Sequence, residues 1–427
     1  MDSATLPHFV LASVGTDGDI FPYLGLGAAL RARGYAVTMT AAEPYRERVL
    51  ALGLGFRALV TNEENHRLLS NPDFWHPIKS GAVCARWGAP LIARQYELLG
   101  ELSGKGRAVL VANPGVLAAL VVQEVRRIPW VSVLLQPGLL PSSHAPPVMP
   151  GPAPPRWAPS FCWDLYWRVL DSVGDHLVGR ELNRVRRGAG LPPLRGLFSK
   201  WLSPALVLGM FPDWYGPPPR DWPKQMRLVG FPLYEGSHSG VALEPELRAF
   251  CTEAEPPVAC TFGTGMMHAG RIFRFVLEAC DRLGKRCVLL TRHRTQLPSP
   301  LPPHARLCQF VSFRELFPKC SAVIHHGGIG TVATACSTAT PQLLVPFAYD
   351  QMDNASRVQR LGIGEGIPAP RVTVERVAGA LERLTSQAVK ERCGRVAARF
   401  AGANAIERAV DCILQNPQIR SSIGLCD

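Results

Sequence analysis

Apolar residues fall into two alternating patterns along this chain: short uninterrupted runs, and longer stretches in which they recur at helical spacing. The first pattern predicts strands buried on both faces, the second helices that cover them. Residues 8–14 form such a run, followed by the turn Gly15-Thr-Asp-Gly-Asp19, a helix over residues 23–33 stopped by Gly34, and a strand over 36–41. A helix over 44–52 and a strand over 55–59 continue a βαβ alternation, the mark of a parallel sheet. The pattern restarts in the second half with strand 258–262, turn Gly263-Thr-Gly265, helix 271–283 and strands 286–291 and 305–311. A helix to about residue 337, a strand over 342–346 and helices over 354–361 and 374–384 complete it.

Two breaker-rich segments interrupt the alternation. Residues 141–160 hold eight prolines, which deny both helix and sheet pairing and predict an extended loop. Amphipathic helix resumes over 161–187. A second cluster, Pro212-Asp-Trp-Tyr-Gly-Pro-Pro-Pro-Arg-Asp-Trp-Pro223, followed by Val229-Gly-Phe-Pro232, predicts the connection between domains. The expected organisation is a domain over 1–215, a linker over 216–240 and a domain over 241–427, whose last helix could pack back on the first domain. The fold class is α/β, two doubly wound Rossmann-like domains facing a cleft.

The densest chemistry lies in Val323-Ile-His-His-Gly-Gly-Ile-Gly-Thr-Val-Ala-Thr-Ala335 and the later Pro346-Phe-Ala-Tyr-Asp-Gln-Met-Asp-Asn-Ala355. The former reads as strand, glycine turn, helix. Glycines let backbone approach a diphosphate, and the amides of a first helical turn have no internal partners. The helix dipole adds positive potential at the same point. His326 can add a donor. Because ligands in such sheets sit beyond the carboxyl ends of strands, the turns at Gly263, His326 and Asp350 could face one cleft.

These loops resemble the nucleotide-sugar signature of the GT-B glycosyltransferases, in which a His-Gly-Gly-x-Gly-Thr turn holds the donor diphosphate and a later Asp-Gln holds the sugar. The resemblance implies that Thr264, His326, Gly328, Ile329, Gly330 and Thr331 face the phosphates, that Phe310 and Val311 hold the base, and that Asp350 and Gln351 bind sugar hydroxyls. Phe310 stands where plant-type members carry a base-stacking tryptophan, and Thr334 where they carry a ribose-binding glutamate. The implied donor is therefore a dTDP-sugar before a UDP-sugar. Family members with a Gly-Ser-x-Gly-Asp turn use that aspartate as the base for the acceptor hydroxyl, and the match here is Asp19; capping the following helix is its structural alternative. The segments Phe211–Pro223, Gly230-Phe-Pro-Leu-Tyr234 and Asn71-Pro-Asp-Phe-Trp-His-Pro77 are similar to rhamnosyltransferases of mono-rhamnolipid synthesis. That kinship implies L-rhamnose as the sugar and a hydroxyalkanoyl lipid acid as acceptor, with Phe74, Trp75 and Gln136 as acceptor contacts. A polyketide-like aglycone is the alternative acceptor. A nucleotide-sugar epimerase and a non-catalytic scaffold for another transferase are the other classes.

Composition narrows the partners. All nine tryptophans fall between Trp75 and Trp222, which suits either an apolar acceptor site or a tryptophan-rich core. The net charge of +12 comes from basic residues spaced singly, as in Arg31-Ala-Arg33, with no dense run or nucleic-acid module, so nucleic acid is not expected. Weak attraction to an anionic inner-membrane surface stays open. Twelve cysteines are scattered without a Cys-x-x-Cys pair, arguing for reduced core residues rather than a zinc or disulfide framework. No run reaches membrane-span length and residues 1–7 lack a signal-peptide layout, so a cytoplasmic location is expected. Asp17-Gly-Asp19 spells a metal-binding Asp-x-Asp, but the anion site already holds amides and a histidine, so neither a metal nor another cofactor is expected.

Overall fold

The structure, a computed structural model, describes residues 7–104, 107–236 and 241–424. Its core is two parallel sheets. The first holds His8–Ala12 (β1), Ala36–Ala42 (β2), Gly55–Val60 (β3), Ala108–Ala112 (β4), Trp130–Leu134 (β5), Leu206–Gly209 (β6) and Met226–Leu228 (β7), in the order β3-β2-β1-β4-β5-β6-β7. The second holds Val258–Thr261 (β8), Cys287–Leu290 (β9), Ala305–Cys308 (β10), Ala322–His325 (β11), Gln342–Leu344 (β12) and Gly364–Gly366 (β13), in the order β10-β9-β8-β11-β12-β13. In each sheet the order reverses beside its first strand, β1 or β8, and helices cover both faces, as the apolar runs require.

The expected α/β class and two-sheet architecture are what the structure has, with local differences that have physical causes. The first helix is Asp17–Ala32, beginning six residues earlier than Pro22 suggests. Pro22 cannot donate to the Gly18 carbonyl, but Gly18 is exposed, so water can satisfy that acceptor. The proline-rich stretch is free of strand and helix up to Ser160, where a helix runs to Gly174 and continues through a π-helical turn, Asp175–Gly179, into Arg180–Gly188. Within the expected linker, Met226–Leu228 pairs in register with Val207–Gly209 as the edge strand of the first sheet, so the crossing to the second domain comes after it.

The chain then returns. Helix Ala405–Gln415 packs on Asp17–Ala32, and Ala409, Val410, Ile413, Ile419 and Ile423 enter the same core as Leu24, Leu26 and Leu30. Arg33 pairs with Glu407 and Asp411, each at 2.6 Å, along the rim. The tryptophans divide between roles: Trp130 and Trp163 are core, whereas Trp157 is 85% exposed. The eleven described cysteines are unpaired, and most are buried in apolar surroundings.

Because the returning helix is fixed by burial rather than by its surface ion pairs, truncating Ile413, which is 0% exposed, should matter far more than removing Arg33. Ile413→Ala should destabilise the protein by about 2–5 kcal/mol, and Arg33→Ala by about 1 kcal/mol or less. Urea unfolding followed by tryptophan fluorescence checks both, and equal losses would be inconsistent with this account.

Candidate active site

Three loops at the carboxyl edge of the second sheet build one wall of the cleft. His325, the last residue of β11, is fully buried and structural: its Nδ1 accepts the Gly327 N–H at 3.2 Å, which leaves Nε2 to donate to Gln342 Oε1 at 3.1 Å. Burial, with help from His326, pushes its pKa down to about 3. His326 points the other way. Its ring lies against the turn after β8, so closely that a Cβ on Gly263 would be 3.0 Å from Cε1 and one on Gly328 2.5 Å from Nε2. Glycine is required at both places by contact, and at Gly263 also by its φ of +86°.

Burial pushes His326 down to about 4, so at neutral pH the ring is uncharged and carries one N–H. Its Nδ1 is buried without a protein partner. A buried polar nitrogen left open beside a helix start fits an anionic ligand's oxygen. That helix, Ile329–Ser337, begins at Gly328, and its first-turn amides at Ile329, Gly330 and Thr331 open on the same space. Thr264 lies partly exposed in the turn after Phe262, next to Gly263, which the His326 ring touches. Thr334, at the position where a ribose-binding glutamate was considered, is turned back onto its own helix, with Oγ1 donating to the Gly330 carbonyl at 3.0 Å.

Phe310 stands past the end of β10, 36% exposed, with the Arg292 guanidinium 5.3 Å from its ring centre. Val311 instead packs against the core around Leu316 and Phe317.

Asp350 heads the helix Gln351–Arg360, and the chain reaches it through Tyr349, whose φ of 60° is unusual for a residue with a side chain. The Tyr349 hydroxyl donates to the Phe74 carbonyl across the cleft at 2.5 Å, and its ring meets Phe74 and Trp75 at 5.4 and 6.4 Å. Asn354, one turn on, donates to Asp350 Oδ2 at 2.6 Å and to the Gly327 carbonyl at 2.9 Å, and accepts from the Tyr215 hydroxyl at 2.9 Å. Gln351 is buried, and its Oε1 accepts the Phe347 and Ala348 N–H groups at 2.7 and 3.2 Å. That oxygen holds the turn, which leaves the Gln351 side-chain NH2 as the group that could donate to a sugar hydroxyl.

The facing wall comes from the first sheet. Asp19 lies in the first turn of its helix and accepts the Thr16 N–H on Oδ2 at 2.8 Å. It is thus a capping residue, and the residue as a whole is partly buried at the head of the helix. Desolvation pushes its pKa up to about 6. Asp350 is pushed up to about 7, first by burial, with the Asn354 bond opposing and the charge on Asp19 adding. The two carboxyls therefore sense each other across the cleft. Thr16 Cγ2 and Trp75 Cζ2 lie 3.6 and 3.2 Å from where a Cβ on Gly265 would stand. Gln136 precedes the turn Pro137–Leu139, and a Cβ on Gly138 would be 3.7 Å from Asp350 Cβ. The structure thus brings the turns that carry Asp19, Trp75, Thr264, His326 and Asp350 together, with the turn after Gln136 beside Asp350, while Phe74 is buried in the contact between domains. Asp17 is turned aside, accepting from the Tyr45 hydroxyl at 2.8 Å with Arg48 at 3.6 Å.

Sequence reasoning assigned no role to Tyr349, Asn354 or Tyr215. A polar residue one helical turn after Asp350 was the available signal for Asn354, whereas Tyr215 is distant in sequence.

Two parallel-sheet domains, with a glycine turn and helix start opposite a carboxylate, have the architecture of the GT-B fold. Comparisons with known proteins agree. Residues 9–138 match the glycosyltransferase family 28 N-terminal domain, and residues 274–413 match the erythromycin biosynthesis protein CIII-like C-terminal domain. The chain is 29% identical over 430 residues to the O-mycaminosyltylonolide 6-deoxyallosyltransferase of Streptomyces fradiae, covering 95% of this chain and 96% of the relative. The glycotransferase of kitacinnamycin superposes with a TM-score of 0.73 at 19% identity, over 96% of this chain and 98% of the other. The Streptomyces sp. SF2575 glycosyltransferase SsfS6, solved with thymidine diphosphate, superposes at 0.63 and 20% identity, over 96% and 99%. The two domain matches and the full-length relatives make the chain a glycosyltransferase of GT-B fold, similar to family 28 in its first half and to the erythromycin CIII-like domain in its second. Its relatives include antibiotic glycosyltransferases and a sterol 3-beta-glucosyltransferase, and they support neither the narrower kinship with rhamnolipid synthesis nor an epimerase.

His326→Ala should weaken dTDP binding by about 1.5–3 kcal/mol, the value of a hydrogen bond to a charged group. Titration calorimetry reads this directly, and unchanged affinity would take His326 out of the site. For Asp19, a base must be deprotonated, so the rate should fall as pH drops below about 6 and level off above it. Asp19→Asn keeps an acceptor for the Thr16 N–H, so melting should hardly change while turnover drops about a hundredfold or more. A variant that melts earlier yet turns over normally would leave Asp19 as a cap alone.

Proposed function

We propose that this protein transfers a 6-deoxyhexose, L-rhamnose first among the candidates, from a dTDP donor to a hydroxyl of an apolar natural-product aglycone, with inversion and without a metal ion. The observation that carries the reading is the convergence of Asp19, on one wall, with the His326 loop and Asp350 on the other. Asp19 takes the acceptor's proton while the acceptor oxygen bonds to the anomeric carbon. The bond from that carbon to the phosphate oxygen breaks, and its electron pair leaves with the diphosphate. The first-turn amides at Ile329, Gly330 and Thr331 and the N–H of His326 stabilise that charge. Asp350, held by Asn354, accepts hydrogen bonds from sugar hydroxyls. Phe310, partly exposed with Arg292 beside its ring, contacts the base.

The metal-free reading is supported by Asp17, whose carboxylate is engaged by Tyr45 and Arg48 rather than paired with Asp19. Thymidine diphosphate in one structural relative and 6-deoxyallosyl transfer by another support the donor class. An aglycone precedes a hydroxyalkanoyl lipid acid as acceptor because several relatives act on antibiotic aglycones and none of those named acts on a lipid acid.

Transfer from dTDP-rhamnose to a panel of macrolide, aromatic polyketide and hydroxyalkanoyl acceptors, followed by mass spectrometry in excess EDTA, tests the reading. Glycoside should form at the same rate with and without chelator, and faster than from UDP-glucose. Loss of activity in EDTA, restored by Mg²⁺, would overturn the metal-free mechanism. An altered sugar nucleotide with no glycoside would overturn transfer itself.

A further inference from the structure

The helix Ser160–Gly174 and its π-helical continuation carry an apolar surface that the cleft does not use. Phe161, Leu165, Val169, Val173 and Leu177 follow one another at intervals of four, forming a single ridge, and each is between 41% and 69% exposed. Trp157, at the end of the proline-rich loop just before them, is 85% exposed. The opposite face is anchored by Trp163, which is buried. A ridge of this length in water is unusual for a protein surface without a partner.

Its charges are sorted by sign. The three aspartates of this segment bind the protein body: Asp164 accepts from the Ser143 hydroxyl at 2.6 Å, Asp171 from Ser199, and Asp175 from the Gly196 and Leu197 N–H groups at 2.8 and 3.0 Å. Arg168 and Arg180 are exposed on the row beside the ridge, with His176 between them; Asp164, one turn earlier on that row and also exposed, is held by Ser143. The outward face is therefore apolar, edged by cations, and led by an exposed tryptophan.

We infer that this ridge docks the protein on an anionic lipid surface, lying in the interface with Phe161 to Leu177 toward the acyl chains and Arg168 and Arg180 toward the headgroups. The sorted charge favours a bilayer over a second copy of the chain. A two-fold pairing centred on Val169 would bring Arg168 of both copies together, with the nearby aspartates engaged elsewhere. Anionic headgroups supply the missing negative charge, and tryptophan suits the headgroup boundary. The ridge does not overlap the cleft residues, so docking and donor binding are separable.

The test is sedimentation of the full-length protein with vesicles of phosphatidylcholine, alone or mixed with anionic phosphatidylglycerol, alongside light scattering without lipid. Binding should require the anionic lipid, weaken as salt rises, and fall about tenfold or more in Leu165→Asp/Val169→Asp. Arg168→Gln/Arg180→Gln should reduce it by less, and dTDP affinity should be unchanged in both variants as a check on folding. Failure to sediment with either vesicle overturns the proposal. A dimer in solution that the Leu165→Asp/Val169→Asp variant dissolves overturns it in favour of self-association. A specific acidic protein that binds the ridge while vesicles do not overturns it in favour of a protein partner.

Discussion

Asn354 is the residue on which the geometry of the site turns. From one buried amide it binds the Gly327 carbonyl of the anion loop and the Asp350 carboxylate, and it accepts the hydroxyl of Tyr215 from beyond the domain boundary. No rearrangement of one partner leaves the other two unaffected, because an unpaired amide in that position would carry the full penalty of burial. Beside it, Arg357 binds Asp353 at 2.5 Å and the Tyr215 carbonyl at 3.0 Å, and Asp353 in turn accepts the Val148 N–H at 2.9 Å. The proline-rich loop, the domain connection and the sugar-side loop are thereby fixed to one helix, Gln351–Arg360.

Electrostatics in the cleft follow from how little water those contacts admit. Desolvation raises both carboxyls and lowers both histidines, and each direction suits a separate chemical task. A carboxylate near 6 is ionised at neutral pH yet basic enough to share a proton with an attacking hydroxyl. An uncharged His326 can donate without having to be neutralised when the diphosphate leaves. Tyr349 links these charges to domain position, since the residue that precedes Asp350 is bonded to the first domain through the Phe74 carbonyl. The position of the sugar-side carboxylate is thus coupled to how the two sheets face each other.

Tryptophan distribution was an ambiguous signal, and the structure divides it. Trp130 and Trp163 close hydrophobic cores, Trp75 borders the cleft, and Trp157 stands in solvent. Composition could not separate these uses, since a bulky indole is favourable in all of them.

The sequence by itself determined the two parallel sheets, the strand-loop-helix anion site and the identity of His326, Asp350 and Asp19 as candidates. These are local properties: buried parallel strands need continuous apolar runs, and a diphosphate turn needs glycines next to a helix start. Helix 374–384 coincides with the observed Val374–Leu384 for the same reason, its apolar spacing being contained within itself. Only the tertiary structure decided that His325 is bonded within the protein while His326 Nδ1 is left without a protein partner, that the Gln351 oxygen holds a turn, that β7 belongs to the first sheet, and that the last helices return to it. Each of those depends on partners far away in the chain, and adjacent or like residues carry the same local signal until packing places them in different surroundings.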